Sequence, residues 1–219
     1  VGGYFLYQGI FKAKITTYTK DLSSRVFFSP KGGYAEINRN KKVKVWDPVK
    51  KEEVTEPGNI SWPLINLLRK SEKSIDIASY IFSSYTWEYR ELLAANQRGV
   101  KIRLFLDTSI KDDEGNPIIN PLVEELKSIK PVIEVKVLDP KKIEKEIGIT
   151  FRTMHEKFGI FDGRYLYNGS ANIESKANTL YTEDRFFFKD NPSLISAFQG
   201  EFDLLWRNGK WLVGGQVTR

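Results

Sequence analysis

The spacing of apolar positions changes near residue 60 and divides the chain in two. Before that point, loose alternation rich in Tyr, Phe, Ile and Thr (ITTYT at 15–19, RVFFS at 25–29) predicts strands. KVKVW and KKEEV, set among turn signals at Pro30-Lys31-Gly32-Gly33, Asp47-Pro48 and Pro57-Gly58, predict a basic hairpin that projects from the domain. Beyond residue 60, SWPLINLLRKSEK begins on a candidate N-cap, Ser61, and puts Trp62, Ile65 and Leu68 on one helical face. SIDIASYIF predicts a strand, TWEYRELLAANQRG a helix stopped by Gly99, and VKIRLFLD a strand ending in Asp107. NPLVEELKSIK and VIEVKVL predict the next helix and strand, completing a β-α-β-α-β order from about 61 to 138.

After a charged connection, TMHEKFGIFD and RYLYNGSAN predict two strands turning at Asp162-Gly163, and TEDRFFFKD a third. SLISAFQGEFDLLWRNG predicts a closing amphipathic helix with Leu194, Phe198, Phe202 and Leu205 facing inward. The expected fold is therefore α/β: a mixed, largely parallel β-sheet flanked by helices. Residues 1–219 are read as one domain, with a β-rich extension and hairpin insertion over 1–60 and the core over 61–219.

Composition adds limits. The hydrophobic fraction of 41% is enough for a continuous core, and no apolar run is long enough to span a bilayer. Cysteine is absent, which excludes disulfides, thiol nucleophiles and thiolate metal sites. No cofactor and no metal site are expected. The chain opens at Val1 with no leader or membrane anchor in view, so one ahead of it, and the compartment, are left open. Lys and Arg outnumber Asp and Glu by 34 to 28, a net charge of +6 that favours phosphate-bearing partners.

The chain holds a single histidine, His155, in MHEKFGIFDGRYLYNGSAN. Residues two apart on a strand share a face, so His155 and Lys157 point together and Glu156 points away. An imidazole beside an ammonium suits a phosphate: the cation neutralises oxygen charge while the imidazole attacks or moves a proton. Ser170 and Asn172 add neutral donors after Gly169, whose lack of a side chain permits close backbone approach. Asp162 lies seven residues from His155, an odd spacing that gives it the opposite face and a turn role.

His-x-Lys-x-x-x-x-Asp followed by Gly-Ser-x-Asn resembles the signature of the phospholipase D superfamily, matched here by His155, Lys157, Asp162, Gly169, Ser170 and Asn172. From about 61 to 211 the chain resembles the small single-motif bacterial endonucleases of that superfamily, through SIDIASYIFSS, RGVKIRLFLD and LLWRNG. The resemblance implies a phospholipase D-like fold and a catalytic set of His155, Lys157, Asp162 and Glu183, Glu183 orienting the histidine. It also implies a phosphate site built from His155, Lys157, Ser170 and Asn172, and metal-independent hydrolysis through a covalent phosphohistidine. That chemistry uses two histidines where this chain has one, so a homodimer pairing two copies of His155 is expected.

The leading substrate expectation is DNA or RNA. Arg39, Lys41, Lys42, Lys44, Lys50 and Lys51 are candidate phosphate contacts, though a solvated hairpin would carry the same charges. Tyr80, Phe82 and Tyr85 are candidates for stacking on unpaired bases, with core or interface positions as the alternative. Membrane lipid is the alternative substrate, through a cardiolipin-type phosphodiesterase or phosphatidyl transferase. A phosphate-binding module without turnover is the third reading.

Overall fold

The computed structural model describes residues 25–28, 42–47, 52–57, 60–109, 120–139, 141, 144–145, 148, 153–174 and 183–215. Among them an eight-stranded sheet carries helices on both faces. The strands are β1 (Arg25–Phe28), β4 (Ser74–Ser79), β5 (Lys101–Leu106), β6 (Glu134–Val137), β7 (Lys157–Phe161), β8 (Tyr165–Gly169), β9 (Asp184–Lys189) and β10 (Lys210–Val213). The helices are α1 (Trp62–Lys70), α2 (Trp87–Gln97), α3 (Asn120–Ser128) and α4 (Pro192–Asn208). The remaining strands, β2 (Lys42–Asp47) and β3 (Glu52–Pro57), form the expected hairpin, and β2 runs beside α1 instead of projecting.

The strand order is β1-β9-β8-β7-β4-β5-β6-β10. The sheet is mixed as expected, but parallel pairing is confined to β4-β5 and β5-β6 and antiparallel pairs form the majority. The cause is local. Asp162 and Gly163 adopt φ of 53° and 65°, so a tight turn returns β7 directly into β8 as a hairpin, which fixes antiparallel pairing. Parallel neighbours need a helical crossover, and α2 and α3 supply only two.

Alternation along the strands feeds two cores. Ile75, Ile77, Ile102, Leu104 and Leu106 pack with Leu64 and Leu68 of α1, Leu92 of α2 and Leu126 of α3. Ala78, Phe105, Phe158 and Ile160 pack on the other face with Ile195, Phe202 and Leu205 of α4. Leu194 and Phe198 border this second cluster, as the helical spacing predicts. A polar cluster around an ion pair between β5 and β4 links α4 to the sheet. Arg103 donates to both Asp76 oxygens, at 2.7 and 2.5 Å, and Gln199 of α4 donates to the same carboxylate at 3.2 Å.

Two boundaries differ from expectation. The strand predicted over TMHEKFGIFD begins only at Lys157, because Asp107 takes the Met154 N–H away from any ladder. KWLV, which the spacing assigns to no element, is β10, antiparallel to β6. Gly209 breaks the helix with extended backbone and the chain enters the strand at once, leaving no loop signal.

Candidate active site

Carboxyl ends of β4, β5 and β8 and amino ends of β7 and β9 meet at one end of the sheet. In open α/β sheets that end is where ligands bind. Ser79 pairs with Lys157, so the next residue, Tyr80, reaches Glu156 and donates its N–H to that carbonyl at 2.9 Å. Its ring lies 4.4 Å from the His155 ring. Pairing of Phe158 with Asn168, and of Gly169 with Arg185, brings Lys157, Ser170 and Glu183 to neighbouring rungs. Gly169 is required there, because any Cβ would collide with the Asp184 carbonyl.

The centre is a histidine–lysine pair. Lys157 Nζ donates to the His155 carbonyl at 2.7 Å and stands 3.3 Å from Nδ1 and 3.4 Å from Nε2. The lysine is buried while His155 is exposed. Tyr80 completes the wall, with Lys157 Nζ 5.0 Å from its ring centroid. Partial desolvation against the site wall and the Lys157 charge lower the pKa of the His155 imidazole, opposed by Asp107. Burial also lowers Lys157, while Glu183 and Glu156 act to keep it charged. A neutral ring nitrogen beside a desolvated cation is the arrangement for in-line attack on a phosphorus whose oxygens the cation holds.

The Glu183 carboxylate accepts a short hydrogen bond from Ser170 Oγ, which itself accepts from Asp184 N at 3.0 Å. Asn172 Nδ2 donates to Glu174 at 3.1 Å, and the Asn172 carbonyl accepts from Arg185 Nη2 at 2.7 Å. Arg185 is buried and reaches Glu88 of α2 at 3.3 Å.

Asp162 does not join this group, which corrects its place in the catalytic set. It lies at the other end of β7, where its carboxylate accepts the N–H groups of Glu72, Lys73 and Ser74 at 3.1, 2.8 and 3.0 Å. Five residues of β7 separate it from the reacting end. Phe82 is buried in the core instead of standing at the mouth, whereas Tyr85 is exposed. Arg39, Lys41, Lys50 and Lys51 lie outside the described residues, and Lys42 and Lys44 fall on the backbone of β2.

Asp107 is the residue the sequence pattern underplayed. It is buried, accepts Met154 N and Ser109 N, each at 2.5 Å, and also takes the Ser109 hydroxyl. Its one signal in the sequence is an acid at the carboxyl end of an apolar strand.

The fold and this site define a phospholipase D-like domain. Residues 64–206 match the family described as "Cardiolipin synthase, PLD-like domain", and the chain belongs to it. Over 53 residues, 24% of this chain and 23% of the relative, it is 49% identical to a mitochondrial cardiolipin hydrolase of Chlamydomonas reinhardtii. The chain spans under a third of the length of the first curated relatives that it matches.

Two solved structures share the fold. Nuc from Salmonella typhimurium, a phospholipase D family member, aligns with a TM-score of 0.58 at 19% identity, covering 87% of this chain and 98% of its own. NucT from Helicobacter pylori aligns at 0.59 and 16% identity, covering 87% and 99%. At these identities the likeness is one of fold.

Proposed function

We propose that the chain is a metal-independent phosphodiesterase that cleaves DNA or RNA through a phosphohistidine, with two copies contributing one His155 each. The observation that carries this reading is the contact of Lys157 Nζ with the His155 ring, whose charge helps to lower the imidazole pKa, so that one copy can present a neutral ring nitrogen while its partner carries the proton. A ring nitrogen of one His155 attacks phosphorus and the bond to the leaving oxygen breaks. The departing oxygen takes a proton from the partner histidine. That histidine, now neutral, removes a proton from water as the water attacks phosphorus, and the phosphorus–nitrogen bond breaks. Lys157 neutralises the phosphate oxygens throughout and Asn172 donates its second amide N–H to them, while Ser170 turns its hydroxyl from Glu183 to the phosphate when substrate enters.

The net charge of +6 and the resemblance to single-motif endonucleases support a nucleic-acid substrate. A lipid substrate is the second reading, favoured by the relative named a cardiolipin hydrolase. Purified protein is assayed on single-stranded DNA, duplex DNA, RNA and cardiolipin vesicles, with His155→Ala as control and a chelator in parallel. Chelator-resistant cleavage of nucleic acid is expected, lost in His155→Ala. Turnover confined to cardiolipin overturns the nuclease reading. Mixing with excess His155→Asn protein should suppress the wild-type activity in proportion to the heterodimers formed, whereas full activity in an isolated single copy overturns the two-chain site.

A further inference from the structure

The loop that leaves the site between β4 and α2 carries two exposed aromatics, Tyr85 at 87% and Trp87 at 59% exposure. Their neighbours Phe82 and Tyr89 are buried, so the loop has an anchored side and a presented side. The anchoring is dense. Ser83 N donates to the Ile173 carbonyl at 2.9 Å and Ile173 N to the Ile81 carbonyl at 3.1 Å, tying the loop to the residue beside Asn172. Thr86 caps α2 by accepting Tyr89 N at 3.2 Å and donates its hydroxyl to the Ser83 carbonyl at 2.9 Å. Tyr85 N donates to Ser83 Oγ at 3.3 Å. The aromatics are therefore held in place, and five residues of chain keep Tyr85 within about 18 Å of Tyr80 at the His155 ring.

Exposed aromatics cost solvation unless something covers them, and the surroundings indicate what. The Arg90 guanidinium lies 5.1 Å from the Trp87 ring centroid, which adds a cation to the platform. Ser83 and Ser84 before the rings and Thr86 between them are polar, with none of the aliphatic bulk that bilayer insertion requires. Flat π-faces, a cation and small hydroxyls match an unpaired nucleobase with its phosphate. A duplex hides its base faces and offers such a platform nothing to stack on.

We infer that Tyr85, Trp87 and Arg90 form a base-stacking platform that binds single-stranded nucleic acid beside the phosphodiester site. The inference rests on the nuclease reading and narrows its substrate to unpaired strands.

Fluorescence anisotropy of labelled oligothymidylate, in a His155→Asn background that blocks turnover, tests it. Tyr85→Ala and Trp87→Ala should each weaken binding about tenfold. Trp87→Phe should retain it, and duplex binding should not change. With His155 intact, both alanine variants should hydrolyse bis(p-nitrophenyl) phosphate at the wild-type rate and keep the wild-type oligomeric state. Unchanged oligothymidylate affinity overturns the platform, as does lost binding to cardiolipin-containing vesicles in its place or a changed oligomeric state. Wild type that cleaves oligonucleotides while the alanine variants bind and cleave equally well sinks the platform alone. Wild type that cleaves only the small diester or lipid sinks the nuclease reading and the platform with it.

Discussion

Asp107 accepts the Met154 N–H at 2.5 Å, so the residue after β5 fixes the chain one position ahead of His155. Its charge raises the His155 pKa, against the lowering by burial and by Lys157. The single histidine makes this balance directly measurable, because one imidazole resonance reports it. In an NMR titration the midpoint should lie below the ordinary value of about 6.5. Asp107→Asn removes the raising charge and should move it further down, while Lys157→Gln removes the lowering charge and should move it up. Shifts in the reverse sense contradict the proposed electrostatics.

Asp162 is expected to act on stability and not on turnover. Its carboxylate satisfies three backbone N–H groups at the start of β4, and its positive φ suits Asp or Asn. Asp162→Ala should cost about 1–3 kcal/mol in denaturant unfolding. Asp162→Asn, which keeps one acceptor and tolerates the turn, should cost less. Turnover per folded molecule should match wild type in both. A large kcat loss in a stably folded Asp162→Asn protein restores the residue to the chemistry.

How much of this was legible in the sequence depends on whether the signal was local. The pairing of His155 with Lys157 follows from two-residue spacing, and the turn role of Asp162 from its odd distance. The helices were legible because their faces, and the stop at Gly99, are written in consecutive residues, as along Phe198, Phe202 and Leu205, although Ser61, read as an N-cap, makes no side-chain cap hydrogen bond. Antiparallel dominance was not, because strand order depends on which edges β8, β9 and β10 join. Asp107 and Arg185 were hidden for a related reason. Their partners lie 47 and 97 residues away, at Met154 and Glu88.

Glu156 sits between the two central residues but faces α4, where burial and the Glu201 charge raise its pKa from 4.5 to about 7. Between those values the folded protein binds more protons than the unfolded chain, so stability falls as pH rises through that window. Glu156→Gln removes the ionisation. The Tm advantage of Glu156→Gln over wild type should therefore grow from about pH 4.5 to 7 and level off above. Glu201→Gln should lower the Glu156 pKa and flatten part of the same slope. A Tm difference independent of pH refutes the assignment.

Arg185 and Glu88 join β9 to α2 inside the protein, and the same guanidinium holds the Asn172 carbonyl. Removing one member strands the other charge away from water, a loss of about 3–5 kcal/mol. Arg185→Met should fall in that range by urea unfolding, and adding Glu88→Gln should recover most of it by neutralising the orphaned carboxylate. Phosphate affinity should not recover in the double variant, because Asn172 has still lost its backbone anchor. Inhibition by vanadate, measured on bis(p-nitrophenyl) phosphate, separates the two effects. The double variant should show near-wild-type stability with weakened inhibition. Recovery of both together would mean that Arg185 supports the fold without positioning Asn172.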